Sequence, residues 1–378
     1  MKKIMLLGAV DKIMGNKLGY GEKFDDGLNA IGPLAISMAG VVAVAPLLAT
    51  LIQNTIGGFF TSIGSHPAML ATTILACDMG GYPLATALAA DNPSIGQYAG
   101  LLLGTMMGPT IVFTIPVALG IIKEEDRSYL GAGVLAGMIT IPIGCIVGGI
   151  VMNVMGKGPN GEVLNLDILT QIRLLIPVIV IALLIVAGLW FIPAKMIAGF
   201  NVFGQAVTIL ITAVTAIAIF QQVTGIMLPV FSVMVDDNGV SHLDEGLLCC
   251  GQIGIVLAGA FPLVKFITDK FGGALANVGK ALGINDKASA GMVANLANNI
   301  AMFDILGEMD PKGKLLNVAF AVSAAFVFGD HLGFCAGNNQ GMVTPVIVGK
   351  LVAGITAIIV ANILSPVLLA KIKDAEKK

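Results

Sequence analysis

Long apolar stretches separated by short polar turns follow one another along almost the whole chain. About ten can be distinguished, and each is close to the roughly 20 residues that a membrane-crossing helix needs. The pattern therefore predicts an all-α polytopic membrane protein. Its apolar segments cover approximately residues 27–51, 67–90, 98–122, 129–155, 169–193, 202–223, 246–268, 288–306, 315–337 and 342–372.

Four of these stretches are interrupted near their middles by small or polar residues, at 77–81, 108–110, 298–299 and 329–331. Non-helical backbone at membrane depth is tolerated only where protein or a water-filled cavity satisfies its polar groups. Simple glycine or proline kinks are the alternative explanation. Because three of the four interruptions carry Asp or Asn, we favour a transport site built from broken helices.

The chain also contains an internal duplication. Residues 27–40 align with residues 246–259 at an offset of 219, and residues 77–78 align with residues 298–299 at an offset of 221. The interruptions of the first half thus have counterparts in the second half. We expect a first transmembrane repeat over 27–193 and a second over 194–378, which includes a short cytoplasmic tail.

The placement of lysine and arginine predicts how the two halves lie in the membrane. The loops 53–66 and 224–245 contain neither residue, which places them outside. If 67–90 and 288–306 are re-entrant hairpins, nearly all basic loops lie inside and the repeats are inverted, each with a re-entrant or broken helix pair. If both segments span fully, several lysine clusters fall outside. Residues 1–26 are interpreted as an interfacial cytoplasmic segment.

Composition narrows the function. Hydrophobic residues make up 56% of the 378 residues and charged residues only 12%, about half the usual share, which excludes a water-soluble domain. A net charge of -2 and only two arginines give no footprint for nucleic acid, and no nucleotide-binding loop is present. The five cysteines form no CxxC pair, so neither a disulfide framework, nor a metal site, nor a cofactor is expected.

Ionisable residues inside apolar segments are costly and mark functional sites. Asp330 and Lys350 flank a short turn between neighbouring segments, which predicts similar depths and an ion pair, structural or functional. His331 suits a proton relay or a hydrogen-bonded wall. Asp78 lies at the tip of the first predicted hairpin, where a helix ends and its negative dipole end favours a small cation. The alternative is that Asp78 caps the next half-helix.

Opposite Asp78, the amides of Asn298 and Asn299 offer neutral donors and acceptors that suit a hydroxyl group. A small amino-alcohol would then find one partner for each of its polar ends. The predicted substrate-binding residues are Asp78, Cys77, Asn298, Asn299, Asp330, His331, Gly108 and Thr110.

Several strings resemble the bacterial ethanolamine-utilisation permeases, the EutH family. They include residues 75–81 (LACDMGG), 106–113 (MMGPTIVF), 140–145 (TIPIGC), 296–299 (LANN) and 320–334. The resemblance extends over nearly the whole chain from Phe24, although family members begin with a longer apolar helix. It implies a multi-pass inner-membrane facilitator that admits ethanolamine for a cytoplasmic ammonia-lyase pathway in a microcompartment.

Ethanolamine and the lipid bilayer are thus the expected partners, and the possibility of a homo-oligomer stays open. The alternative function is the membrane subunit of a sodium-pumping decarboxylase or another ion-coupled transporter, which also uses inverted halves and intramembrane Asp. An intramembrane enzyme is disfavoured, because the three histidines form no metal-binding cluster and no Ser-His pair.

Overall fold

The computed structural model describes the backbone of residues 2–235 and 241–376. Met1, residues 236–240 of the predicted outer loop 224–245, and the last two residues of the predicted cytoplasmic tail lie outside it. Within the described ranges the regular structure is helical and no strand is formed, which confirms the all-α class.

Fifteen helices account for nearly all of this structure. They are α1 (Lys2–Ile13), α2 (Tyr20–Ser62), α3 (Ala68–Ile74), α4 (Gly81–Leu88), α5 (Pro93–Ile121), α6 (Arg127–Met138), α7 (Ile141–Met155), α8 (Ile168–Phe191), α9 (Pro193–Thr224), α10 (His242–Leu282), α11 (Asp286–Ala297), α12 (Asn299–Asp304), α13 (Pro311–Ala324), α14 (Asp330–Asn338) and α15 (Val343–Glu376).

Six helices of the described chain are long and apolar enough to cross a membrane: α2, α5, α8, α9, α10 and α15. The pair α6–α7, bent by 40°, raises the number to seven. The other three apolar segments are the broken pairs α3–α4, α11–α12 and α13–α14. A polytopic membrane protein is therefore confirmed, whereas ten continuous spans are not.

One predicted interruption is wrong. We expected the segment 98–122 to break at 108–110, but α5 continues through it as a single helix. A 3-10 turn (Leu103–Thr105) and a π-helical turn (Thr110–Thr114) absorb Pro109. A proline removes one backbone donor from a helix, and local 3-10 or π turns can restore the remaining hydrogen bonds.

The aligned segments α2 and α10 pack directly against each other in antiparallel register. A Cβ atom on Gly27 would lie 2.2 Å from the Ala258 nitrogen, and one on Gly246 would lie 2.9 Å from the Ala39 Cα. Glycine at both positions lets the backbones approach closely, as is common between membrane helices. The repeat aligns Gly27 with Gly246 and Ala39 with Ala258, so equivalent contacts are exchanged between the halves.

Burial divides the helices into an inner and an outer group. Most side chains of α5 are buried, whereas only about a third of those of α8, α9 and α15 are, as expected for helices whose outer faces meet lipid. The broken helices α3 and α13 both contact the inner helix α5, and α13 also contacts α6 and the outer helix α15. Their breaks are thereby held inside the protein.

Candidate functional site

The break between α3 and α4 forms a compact polar tip. After α3 the chain extends through Ala76, turns through the 3-10 segment Cys77–Met79, and reaches Gly80 with a φ of 89°. A side chain at Gly80 would collide with Val41, because a Cβ atom there would lie 2.1 Å from its Cγ1. The Ala76 carbonyl accepts from the N–H groups of Met79 and Gly81, so the turn satisfies its own backbone.

The other two breaks are joined to each other. Asn298 has extended backbone between α11 and α12. Between α13 and α14, the Phe326 N–H donates to the Asn295 carbonyl at 3.0 Å, and the Phe328 N–H donates to the Leu296 carbonyl at 2.9 Å. The unwound chain before α14 therefore satisfies the last turn of α11, which explains how irregular backbone survives there.

A cavity of about 280 Å³ lies between the first tip and the start of α14. Asp78, Asp330 and His331 supply its polar groups, and its apolar wall includes Leu34, Phe113, Leu257 and Phe326. Cavities for drug-sized ligands measure roughly 300–1,000 Å³. This inner cavity therefore suits a small molecule, and its two carboxylates favour a cation.

A wider vestibule of about 720 Å³ leads from the surface to the same region. Asn298 and Asp330 lie at its inner end, and Asp330 also lines the inner cavity. Its mouth is lined by charged residues of α2, α10 and α11, namely Lys23, Asp26, Lys265, Asp269 and Asp286. Two ion pairs form there, Lys23–Asp26 at 2.6 Å and Lys265–Asp269 at 3.2 Å.

The ammonium of Lys350 lies next to the inner cavity and is almost fully buried. Its Nζ donates to the Thr105 carbonyl at 2.5 Å and lies 3.0 Å from His331 Nδ1. The predicted ion pair with Asp330 is not formed, since no carboxylate among the described residues lies within 4.0 Å of this ammonium. The neighbouring helix α5 offers it a carbonyl instead. A similar predicted depth in the membrane was therefore not enough to identify the partner of Lys350.

Cys77 is buried and does not line the cavity, but its thiol lies close to two groups that do. One ligand atom each from Cys77, Asp78 and His331 lie within 4.8 Å of one another. Thiol, carboxylate and imidazole can together hold a transition metal. A metal here would meet the Lys350 ammonium beside the imidazole, which disfavours it.

Gly108 and Thr110 are packed into the protein and face neither cavity. A Cβ atom on Gly108 would lie 2.0 Å from the Leu75 carbonyl oxygen, so glycine is needed for close contact between α5 and the first tip. The Thr110 hydroxyl is 3.0 Å from the Val322 carbonyl, where it links α5 to α13. Both residues contact other segments of the protein, whereas we expected them to contact the substrate.

The two asparagines of the second tip also have local partners. The Asn298 side chain accepts from the Ile300 N–H at 2.8 Å and caps α12, although it also lines the vestibule. Asn299 is fully buried and donates from Nδ2 to Thr114 Oγ1 at 3.0 Å. Neither amide shares the inner cavity with Asp78, and Asp330 is the residue that lies between the two places.

Three residues of the inner cavity were not among those expected from the sequence. Phe326 has a φ of 63°, which is rare for an aromatic residue and typical of strained functional segments. Its ring packs at 5.8 Å against Phe113 and at 5.1 Å against His331. The Ser37 hydroxyl group donates to the Asp78 backbone carbonyl at 3.4 Å. The strings 106–113 and 320–334 that carry the family resemblance contain Phe113 and Phe326, whereas no sequence signal indicated Ser37.

On the side away from the vestibule, the region behind the first tip is closed by a polar chain. The Gln97 amide donates to the Tyr82 hydroxyl at 3.1 Å and accepts from Asn339 Nδ2 at 2.8 Å. The Tyr82 ring also packs edge-on against Phe334 at 5.8 Å. These contacts tie α4 to α5 and to the turn between α14 and α15.

Known proteins are similar to this chain over nearly its full length. Residues 1–364 match the family described as "Ethanolamine utilisation protein, EutH". The chain is 49% identical to the probable ethanolamine permease EutH of Listeria monocytogenes over 374 residues, which cover 99% of this chain and 94% of that protein. It is 46% identical to the probable ethanolamine permease EutH of Escherichia coli, with 97% and 94% covered. No solved structure matches the chain significantly.

Proposed function

The chain belongs to the EutH family of ethanolamine utilisation proteins, and on this premise we propose that it is a permease that carries ethanolamine across the bacterial membrane. It is a multi-pass membrane protein, and relatives at 45–49% identity are named probable ethanolamine permeases. The proposal also covers the residues that bind the substrate, the side of the membrane to which the structure is open, and the route that the substrate takes.

The inner cavity is the observation that carries this proposal. Protonated ethanolamine has one ammonium and one hydroxyl group two carbons apart. Asp78 and Asp330 supply two carboxylates in a small space with an apolar wall. A charge-assisted hydrogen bond to a carboxylate is about twice as strong as a neutral one, and stronger still away from water. We therefore assign the ammonium to the two carboxylates.

The hydroxyl group is assigned to His331. A lysine ammonium can only donate hydrogen bonds, so His331 Nδ1 accepts from charged Lys350 and the ring proton must lie on Nε2. The imidazole lines the inner cavity and can then donate to the hydroxyl oxygen of the substrate. This assignment replaces the asparagine pair that the sequence suggested, because both amides already serve α12 and α5.

The route begins at the vestibule. Its mouth lies on the side that the lysine distribution predicts to be cytoplasmic, so we interpret the structure as open toward the inside. The Tyr82, Gln97 and Asn339 chain then closes the outer side. The antiparallel register of α2 and α10 supports two inverted halves, an arrangement that exchanges inward and outward access by rocking one half against the other.

The test is uptake of labelled ethanolamine into proteoliposomes that contain only this chain, in sodium-free buffer. The measurement is made near pH 6, because primary amines with a pKa of about 10 are then almost entirely charged and cross lipid slowly. We expect saturable uptake of the labelled ethanolamine. Unlabelled ethanolamine should inhibit this uptake best, ethylamine less well and ethylene glycol poorly. No uptake beyond that of protein-free liposomes, or a requirement for sodium, would refute the proposal and favour an ion-coupled transporter.

A further inference from the structure

Lys350 is the most deeply buried charged side chain near the site, and it has a conspicuous set of partners. It is only 1% exposed, and both of its hydrogen-bond partners are neutral groups, a carbonyl and an imidazole nitrogen. Burial of a charge without close compensation is costly. A lysine retained in such a place therefore needs a reason beyond packing.

The sequence explains why the Thr105 carbonyl is free to accept. In a regular helix this carbonyl would bond to the N–H of the residue four positions later, which is Pro109 and has no N–H. A 3-10 turn ends at Thr105, and its carbonyl accepts from Lys350 Nζ at 2.5 Å. Proline thus creates an oxygen ligand inside the protein, and Lys350 occupies it.

The other atoms around this position are also of the kind that bind cations. His331 Nδ1 contacts the ammonium, and His331, Cys77 and Asp78 bring ligand atoms within 4.8 Å of one another. A backbone carbonyl that its own helix leaves without a partner, combined with nearby polar side chains, is also the composition of ion sites in transporters built from broken helices. Here a side chain of the protein itself supplies the positive charge.

The charges of the region favour the same interpretation. Asp78 and Asp330 contribute two negative charges and Lys350 contributes one positive charge, with the thiol of Cys77 and the ring of His331 counted as neutral. The remaining charge of minus one is neutralised by one ethanolammonium ion. Without Lys350, the same cavity would need a second cation before it could close over its substrate.

We propose that Lys350 is a tethered cation that fills a cation site behind the inner cavity, in the place that a free monovalent ion would otherwise occupy. The site consists of the Thr105 carbonyl and the His331 ring, with Asp78 and Cys77 adjacent. Lys350 acts through His331 as a positioning residue and does not contact the substrate. This inference rests on the proposed transport of ethanolamine, and it explains how such transport proceeds without sodium.

The test removes the tethered cation and supplies a free one. Wild-type uptake is expected to be the same within about twofold in sodium or choline buffer. The Lys350→Ala variant is expected to lose at least about tenfold of its uptake in choline, because a buried carbonyl, imidazole and carboxylate then lose their cation. Sodium or methylammonium at millimolar concentration is expected to restore a large part of it.

Two further variants separate charge from packing. Lys350→Met fills the same volume without a charge, and we expect it to be inactive in every buffer because its side chain also blocks the empty site. Lys314→Ala removes another largely buried lysine, whose Nζ lies 2.5 Å from Asp126 Oδ1 in the predicted cytoplasmic loops. Any loss in that control should not respond to sodium or methylammonium. Wild-type activity of a folded Lys350→Met protein would overturn the proposal.

A binding measurement keeps the inference separate from the transport function. Without ethanolamine, sodium should raise the melting temperature of purified Lys350→Ala but not that of the wild type. Failure of the wild type to transport ethanolamine would refute the proposed function, whereas this shift would still be interpretable. A folded Lys350→Ala protein that neither cation stabilises or reactivates would refute the tethered cation.

Discussion

The first broken helix, α3–α4, and the second, α11–α12, solve the same backbone problem and present different chemistry. Both interrupt a membrane-depth helix with a few extended residues, and in both a glycine of a neighbouring segment packs against the tip. A Cβ atom on Gly108 would lie 2.0 Å from the Leu75 oxygen, and one on Gly329 would lie 2.0 Å from the Ala297 oxygen. The offset of 221 aligns Gly108 with Gly329 and Leu75 with Leu296, so the two glycines correspond and the carbonyls that they contact differ by one residue.

The polar side chains of the tips differ in what they do. Asp78 lines the inner cavity, and its carboxylate is contacted within the protein only weakly, by its own backbone N–H and by the Cys77 thiol at 4.0 Å. Asn298 and Asn299 are engaged in capping and in a contact with Thr114. The comparison teaches that a duplicated backbone can keep its structural role at both tips while only one of the two tips carries a carboxylate.

The largest effect is expected when the first tip is given the chemistry of the second. Asp78→Asn should lower ethanolamine uptake about 100-fold, because a charge-assisted contact to a buried carboxylate is lost at the step where the cation must leave water. Uptake into proteoliposomes measures it. The melting temperature should stay near that of the wild type, since the wild-type carboxylate makes no strong contact within the protein.

A double variant sharpens this result. Adding Asn298→Asp to Asp78→Asn moves a carboxylate to the second tip, which lines the vestibule rather than the inner cavity. We expect no recovery of uptake. Recovery would mean that the two tips share one site, and full uptake by folded Asp78→Asn would remove Asp78 from it.

The next largest effect is expected at the two glycines that pack against the tips. Gly108→Ala and Gly329→Ala should each destabilise the protein by about 1–3 kcal/mol, because a Cβ at 2.0 Å from a carbonyl oxygen forces the packed backbones apart. Thermal unfolding in detergent measures both. Gly251→Ala is the matched control, since a Cβ there meets nothing within 4 Å. A large loss for only one of the pair would show that the two tips are not packed alike.

A smaller effect separates structure from binding at the second tip. Asn299→Ala should cost about 1 kcal/mol of stability through the lost hydrogen bond to Thr114. Ethanolamine affinity, measured by calorimetry on the purified protein, should remain within about twofold. A tenfold loss of affinity with unchanged stability would place Asn299 in the site and contradict the division between the tips.

The smallest effect is expected at the cap of α12. Asn298→Ala should destabilise by about 1 kcal/mol, because the Ile300 N–H loses its acceptor. Asn298→Asp should stay within a few tenths of a kcal/mol, since Asp caps helices about as well as Asn. Melting temperatures of the two variants test this order, and equal losses would argue against a capping role.

Much of the fold could be predicted because the bilayer imposes a simple rule. Apolar runs must become helices, so the long segments follow from hydropathy, and the breaks at 77–80 and 298 follow from polar residues within such runs. The break predicted at 108–110 was wrong, because one proline can be absorbed by 3-10 and π turns. Composition does not reveal whether neighbouring turns provide that relief.

For the functional site, too, some features follow from the sequence and others only from the tertiary structure. The amino-acid sequence alone determined that Asp78, Asp330, His331 and Lys350 are exceptional, since an ionisable group in an apolar run is costly wherever it lies. Only the tertiary structure decided their partners. Lys350 bonds to Thr105, 245 residues away, rather than to Asp330, and the amides of Asn298 and Asn299 are spent on local contacts. Hydrogen bonds act over about 3 Å, so they depend on which helices meet, and spacing along the chain does not record that.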